Sequence, residues 1–532
     1  MNGHLEVYEY TIDKLREILA EKSNNSLETI SRKLHLQYFQ GYCDTISVRT
    51  IVVENKYVDQ HYLEDYAAYY VRCFHPYERF CTRVHLFQEA FTQEEFEKYV
   101  AGITDRVPFK KMLSDNYLGF VVVKPLPQTV VGRTCLATYP EENRRHFPIV
   151  RTYEVNLFGT PLKVRSLAYQ EQDRVVAACA TSALWSLFQG TGKEFQHIIP
   201  SPVEITRAAT EKSPIETRVL PSRGLSTAMM AHAIRHVGLE PDLVNVEDDY
   251  VLKTTAYAYL RGKMPMILGI ELWDTSNTPN DMMGFHAVAV TGFSLGNEEP
   301  TPYGDTDFQL RASKIDKIYV HDDQVGPFAR MEFDNIPVTS FVDTATNEEH
   351  HVSSISSSWV GINEEIGSVR AHARILLIPV YHKIRIPFSS IHDTVIAFDS
   401  FFDLVKGLYE DGDFGKLEWD IYLTTNNSVK SELHNIDTLD DEYLCEILFD
   451  GLPKFIWRAT ALLNDEKAID LLFDATDIEQ GTYFLRAIEY NEDLSLFLRV
   501  ISRASHIERV FNGNRSWGII EWFKNQAVPG LD

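Results

Sequence analysis

Only six of the 532 residues are cysteine, and Cys43, Cys73, Cys81, Cys135, Cys179 and Cys445 are scattered with no Cys-x-x-Cys pair. A disulfide framework is thereby excluded, and a reducing compartment is the expectation. Glycine (27) and proline (22) are too sparse for a disordered or fibrous chain. Positive charge is in deficit: 51 Lys and Arg face 76 Asp and Glu, a net charge of −25. Such a field repels phosphate backbones and anionic membranes and favours cationic or neutral partners, so no nucleic acid is expected. Long apolar runs are missing too, which leaves no sequence signal for a membrane span. The opening segment MNGHLEVYEYTIDKLREILAEK is charged throughout and has neither an apolar core nor a small-residue cleavage site, so it does not read as a signal peptide. The expectation is a soluble, cytoplasmic protein with no membrane partner; its oligomeric state is not readable.

What is present is a globular composition, 44% hydrophobic and 24% charged. At about 150 residues per domain the length implies two to four folded units. No repeat of fixed period occurs. The patterns divide the chain into three α/β segments. In 1–160, DKLREILAEK and QEEFEKYVAGI have helical spacing, while TISVRTIVVE, RFCTRVHLF and YLGFVVVKPLP read as strands, with KPLPQ and FGTPL as turns. In 161–384, strand-like PLKVRSLAY leads to a helix beginning near Ala178 and then to the helix STAMMAHAIRHVG, capped by Ser226 and stopped by Gly238. The strands KMPMILGIEL, FHAVAVTGF, DKIYVHD and ARILLIPV follow, and HHVSSISSSW reads as a surface loop. Segment 385–532 combines helix-like TVIAFDSFFDLVKGLY and SLFLRVISRA with strand-like LEWDIYLTT and KFIWRATALL, and carries no chemical motif. It is read as a binding or regulatory module.

A cysteine nucleophile needs a thiolate, a base beside it and donors for the developing oxyanion. The middle segment offers these in order. In QEQDRVVAACATSALWSLFQG, Cys179 sits where a loop enters an apolar helix with Leu184, Leu187 and Phe188 on its inner side. Helix N-termini favour a thiolate through free N–H groups and partial positive charge. In GFHAVAVTGF, His286 opens a strand of small and β-branched residues, which places an imidazole at the end of a sheet. In KIYVHDDQVGPF a strand ends in Asp322 and Asp323, either of which can orient the imidazole. Because successive strand side chains point to opposite faces, one aspartate is expected at His286 and the other in solvent.

These segments, together with GLSTAMMAHAIRHVGLEP and LRGKMPMILGIEL, resemble papain-like cysteine peptidases over roughly 165–380, most closely the bacterial double-glycine leader peptidases that process bacteriocin precursors. The resemblance implies a papain-like peptidase domain flanked by N- and C-terminal α/β modules. It makes Cys179 the nucleophile, His286 the general base and acid, and Asp322 the orienting carboxylate, since Gly326 follows Asp322 at the family's spacing. The family's oxyanion glutamine would fall at position 173, where this chain has Asp; Gln172, one residue earlier, is the nearest candidate and Gln170 the next. Ala178 and Ala180 flank Cys179, where the family tends to have Gly after its Cys.

The implied activity is a thiol hydrolase cleaving a peptide or related amide of a polypeptide substrate, cationic by preference of the field, with no metal or organic cofactor. Two alternatives use the same residues: an acyltransferase or transglutaminase-like enzyme, because an acyl-enzyme accepts either water or an amine, and a catalytically silent binding module. Other patterns carry less. His232 and His236 share a helix face, but Ala233 stands where a zinc protease has Glu. The run Gly190–Lys193 is no phosphate loop, because Leu187 and Glu194 occupy positions that need Gly and Ser or Thr. Cys73 and Cys81 read as core residues.

Overall fold

The computed structural model describes residues 5–103, 105–173, 175–211, 220, 224–276, 280–304, 306–334, 338–342, 349–352, 354–357, 369–408, 414–436, 439–478 and 483–528. The architecture is mixed α/β with several largely antiparallel sheets. Contacts gather the chain into two units. The first comprises 1–249, 263–294 and 316–379; the second comprises 250–262, 295–315 and 380–532.

The first unit holds a five-stranded antiparallel sheet in chain order, Leu5–Glu9, Thr50–Tyr57, Cys81–Phe87, Tyr117–Val123 and Val131–Leu136. Cys81–Phe87 and Tyr117–Val123 are buried along their whole length; the apolar run of Tyr117–Val123 is what a strand covered on both faces requires, whereas Cys81–Phe87 buries Arg83 and His85 by bonding them to Glu54. The hairpin Arg151–Leu157 to Thr160–Ser166 turns at Phe158 and Gly159, both with positive φ, the backbone twist that two-residue hairpins favour.

An eight-stranded sheet frames the site. Its order runs Met266–Asp274, Asp281–Leu295, Ile315–Asp322, Gly326–Phe333, Ile355–Ser357 and Val369–Tyr381, and the last of these pairs again with Met266–Asp274, so the circuit closes on itself. Closure removes exposed edges from these strands. Arg145–His146 and Leu239–Asn245 add to the circuit from outside. The segment read as a loop, HHVSSISSSW, contributes to the strands Glu349–Val352 and Ile355–Ser357, with residues 353 and 358–359 outside the described set. His350, His351 and Val352 pair across to Phe341, Ser340 and Thr339, so a polar sequence is compatible with strand pairing through its backbone.

Segment 1–160 and most of 161–384, read separately from the sequence, fall in this unit, while 250–262, 295–315 and 380–384 fall in the second. Hydrogen bonds cross residue 160. In the helix Leu34–Thr45, the Tyr38 hydroxyl donates to the Pro327 carbonyl at 2.6 Å, and Thr134 and Tyr169 exchange backbone hydrogen bonds. The Asp65 carboxylate accepts the Val203 N–H at 3.0 Å.

The second unit contains a sheet ordered Gln309–Leu310, Glu418–Thr425, Phe455–Leu463, Glu466–Asp474 and Phe484–Glu489, parallel at its first pair and antiparallel in the others. Its helices include Phe388–Leu408, Glu492–Ser502 and Trp517–Lys524. Among the described residues, no helix is long and apolar enough to cross a membrane.

Candidate active site

Cys179 is the first residue of the helix Cys179–Phe195. The helix is buried nearly all round, with Leu184, Trp185, Leu187 and Phe188 inaccessible, which fixes its axis in the unit's interior. Its first end is anchored by polar groups of both earlier segments. Asp173 Oδ1 accepts the N–H groups of Val175 and Val176, its Oδ2 accepts the Tyr70 hydroxyl at 2.5 Å, and Thr206 Oγ1 donates to the Val176 carbonyl at 2.7 Å. Position 173 is therefore occupied by a turn-forming acceptor. The N-cap, Ala178, makes no side-chain cap, so the first-turn donors that a Ser or Asp cap would engage are left open.

His286 lies within the strand Asp281–Leu295, paired opposite Ile270, rather than at its start. The strand extends further back than its apolar pattern because Asp281–Phe285 continue the pairing with Met266–Asp274 past a register shift at Leu272/Trp273. Burial changes at the histidine: Met282, Met283 and Phe285 are exposed, whereas His286 and the residues through Ser294 are buried.

The imidazole joins three of the expected residues. His286 Nε2 lies 3.0 Å from Asp322 Oδ1, and the Cys179 side chain is close enough to the same ring to raise its proton affinity. With Nε2 directed to the carboxylate, Nδ1 is the nitrogen left for the thiol. Burial alone pulls His286 down, but the charge and hydrogen bond of Asp322, the proximity of Cys179 and the charge of Asp323 outweigh it, and the imidazole is held well above its ordinary value.

Asp323 departs from expectation. It is buried, and its Oδ1 lies 3.7 Å from the same His286 Nε2, so the residue expected in solvent is beside the imidazole. Regular strand alternation ends here. The pairing slips between Val320 and Asp322, and a turn begins in which Val325 N–H bonds the Asp322 carbonyl and Gln324 N–H bonds Asp322 Oδ1. The turn swings the second carboxylate back toward the first. Burial pushes Asp323 up to about 7; the charge of His286 opposes this and that of Asp322 adds to it.

The turn is held by residues that no motif marked. His35 Nε2 lies 3.0 Å from both the Asp323 carbonyl and the Tyr169 hydroxyl; a carbonyl only accepts, so this nitrogen carries the ring proton. A Cβ on Gly326 would sit 2.3 Å from the Tyr38 ring, which explains glycine there: the aromatic cover of the turn occupies the space of a side chain. Glu171 accepts the N–H groups of Val130 and Val131 and pairs with Lys33.

Gln172 is half-buried and lines a cavity of about 510 Å³ together with Lys33, His35, Asp323 and Gln324. It makes no hydrogen bond among those of the described residues, so its amide is uncommitted. Gln170 is buried with its Nε2 unpartnered. His232 and His236 lie on the helix Thr227–His236, whose start is capped by Ser226; they belong to no group of metal-ligating side chains among the described residues, whereas His286, Asp322 and Asp323 do. Cys81 is buried and Cys73 partly so. No protein-family model matches the chain, and no curated protein matches it significantly.

Proposed function

We propose that the first unit is a papain-like cysteine peptidase domain, hydrolysing a peptide or related amide through Cys179, His286 and Asp322. The observation that carries this reading is one imidazole flanked on one side by a thiol at a helix N-terminus and on the other by a buried carboxylate at 3.0 Å. A structural histidine needs one partner to be satisfied; this one has the two that nucleophilic catalysis requires.

In the proposed reaction His286 takes the Cys179 proton, the sulfur attacks the carbonyl carbon, and the carbonyl oxygen gains the negative charge. The open N–H groups at the start of the Cys179 helix and the uncommitted Gln172 amide are the donors for it. Collapse breaks the C–N bond as His286 delivers its proton to the leaving amine. Water, deprotonated by His286, then attacks the thioester and releases the acid and the free thiol. Asp322 keeps the imidazole in the productive orientation throughout. The exposed Met282, Met283 and Phe285, leading up to His286 on its strand, suit an extended polypeptide better than a small polar amide.

The test is a comparison of new peptide N-termini after a proteome is incubated with the wild-type chain or with Cys179→Ala. Termini produced by the wild type alone are expected; indistinguishable sets would remove the hydrolase reading.

A further inference from the structure

The proposed hydrolysis leaves the second carboxylate beside His286 unused. Asp323 is buried and neither of its carboxylate oxygens has a hydrogen-bond partner. Such a group is costly unless something neutralises it, and an ion is one of the few things that does. Its Oδ1 lies 3.7 Å from His286 Nε2, and Asp322 Oδ1 lies 3.0 Å from the same atom. One nitrogen and two oxygens are thus gathered within 4.8 Å of one another. In a tetrahedral site with bonds of about 2.0–2.2 Å, neighbouring ligand atoms are roughly 3.4 Å apart; the two separations from Nε2 straddle that value.

The ligand turn is also preorganised. His35 holds the Asp323 carbonyl, and the N–H groups of Gln324 and Val325 hold the side chain and carbonyl of Asp322, the kind of support that fixes metal ligands in place. Asp323 and Gln324 also line the cavity of about 510 Å³.

We propose that His286 Nε2, Asp322 and Asp323 form a binding site for a zinc-type divalent cation with water in the fourth position. One imidazole with two carboxylates suits zinc or cobalt better than magnesium or calcium, which prefer all-oxygen shells. The Nε2 lone pair goes to the metal in place of the hydrogen bond to Asp322, and the single proton of the neutral ring moves from Nε2 to Nδ1. Nδ1 then has no lone pair for the Cys179 proton. Metal occupancy therefore switches the thiol centre off, a consequence that rests on the reading of His286 as its base; the binding site itself does not depend on that reading.

Titration of the full chain with Co²⁺, followed by visible absorption, tests the site without reference to activity. One equivalent is expected to produce tetrahedral d–d bands with no sulfur-to-cobalt charge-transfer band, and Zn²⁺ should displace them. The same spectrum should appear in Cys179→Ser, while Asp323→Asn should bind at least tenfold more weakly, with circular dichroism confirming that it folds. If that variant does not fold, the Cys179→Ser spectrum decides alone. Absence of tetrahedral bands in the folded wild type would overturn the proposal, as would a charge-transfer band lost in Cys179→Ser or undiminished binding in folded Asp323→Asn. A chain that binds cobalt without cleaving peptides loses the hydrolase reading and keeps this one; a chain that cleaves without binding loses only this one.

Discussion

Each unit contains a fully buried aspartate, and the two are treated in opposite ways. In the second unit, Asp470 Oδ2 accepts from Arg458 at 2.5 Å and from the Tyr490 hydroxyl at 2.7 Å, while Oδ1 accepts from Thr460 at 2.5 Å. Arg458 in turn reaches both oxygens of Glu432. In the first unit, Asp323 has neither oxygen bonded; it lies in the turn just past the strand Ile315–Asp322. A scaffold meets the needs of its buried charges because a solitary one destabilises the fold. Where a fold tolerates an unmet carboxylate next to an imidazole and a thiol, the stability forgone marks a place kept for chemistry.

The contrast is broken or sharpened by substitution. The largest effect is expected for Asp322→Asn: turnover should fall by about 10²–10⁴-fold through loss of imidazole orientation, with a urea midpoint close to wild type. Asp323→Asn should reduce turnover much less, since its carboxyl lies beyond hydrogen-bond distance of the ring. Steady-state kinetics of both variants on one peptide checks the ranking. Next comes Asp470→Ala, which removes the buried one of the two carboxylates paired with Arg458 and should cost about 3 kcal/mol, read by urea denaturation, whereas the same change at Asp323 should cost little or stabilise. Gln172→Ala should slow turnover about ten- to a thousand-fold while leaving thiol labelling intact, because a lost oxyanion donor acts on the transition state alone.

The smallest effect is a slope. Asp399 is buried against Trp419, whose Nε1 donates to it at 2.7 Å. Burial pushes this carboxyl up to about 7, with the Trp419 hydrogen bond opposing. Below pH about 4 folded and unfolded chains both hold the proton. Between about 4 and 7 the unfolded chain releases it more readily, so stability falls as pH rises, by up to about 1.4 kcal/mol per unit. Asp399→Asn retains an acceptor for Trp419 and should flatten this slope, its advantage in Tm over wild type growing from pH 5 to pH 8.

The strands and helices whose signal is local were legible in the sequence. The Ser226 cap, the FGTPL hairpin turn and the buried runs RFCTRVHLF and YLGFVVV follow from short-range pattern alone. Cys179 as a helix start was legible for the same reason, as was the pairing of His286 with Asp322, which ordered motifs carried. What escaped was long-range. His35 and Tyr38 lie far from the Asp322 turn in sequence and carry no motif, yet their hydrogen bonds fix it. The position of Asp323 escaped because alternation describes regular strands, and a register slip followed by a turn cancels it. The hydrogen bonds that cross residue 160 escaped for a related reason: composition reveals a change of pattern, not which distant segments meet.

The central claim, that Cys179 is a nucleophile paired with His286, is tested most directly by peptide mapping after limiting iodoacetamide at pH 7. Cys445 is exposed and Cys179 is only partly so, which makes access alone favour Cys445. The account predicts that Cys179 nevertheless labels faster, and that His286→Ala abolishes this advantage. Labelling of Cys179 no faster than Cys445 in the folded chain would contradict it.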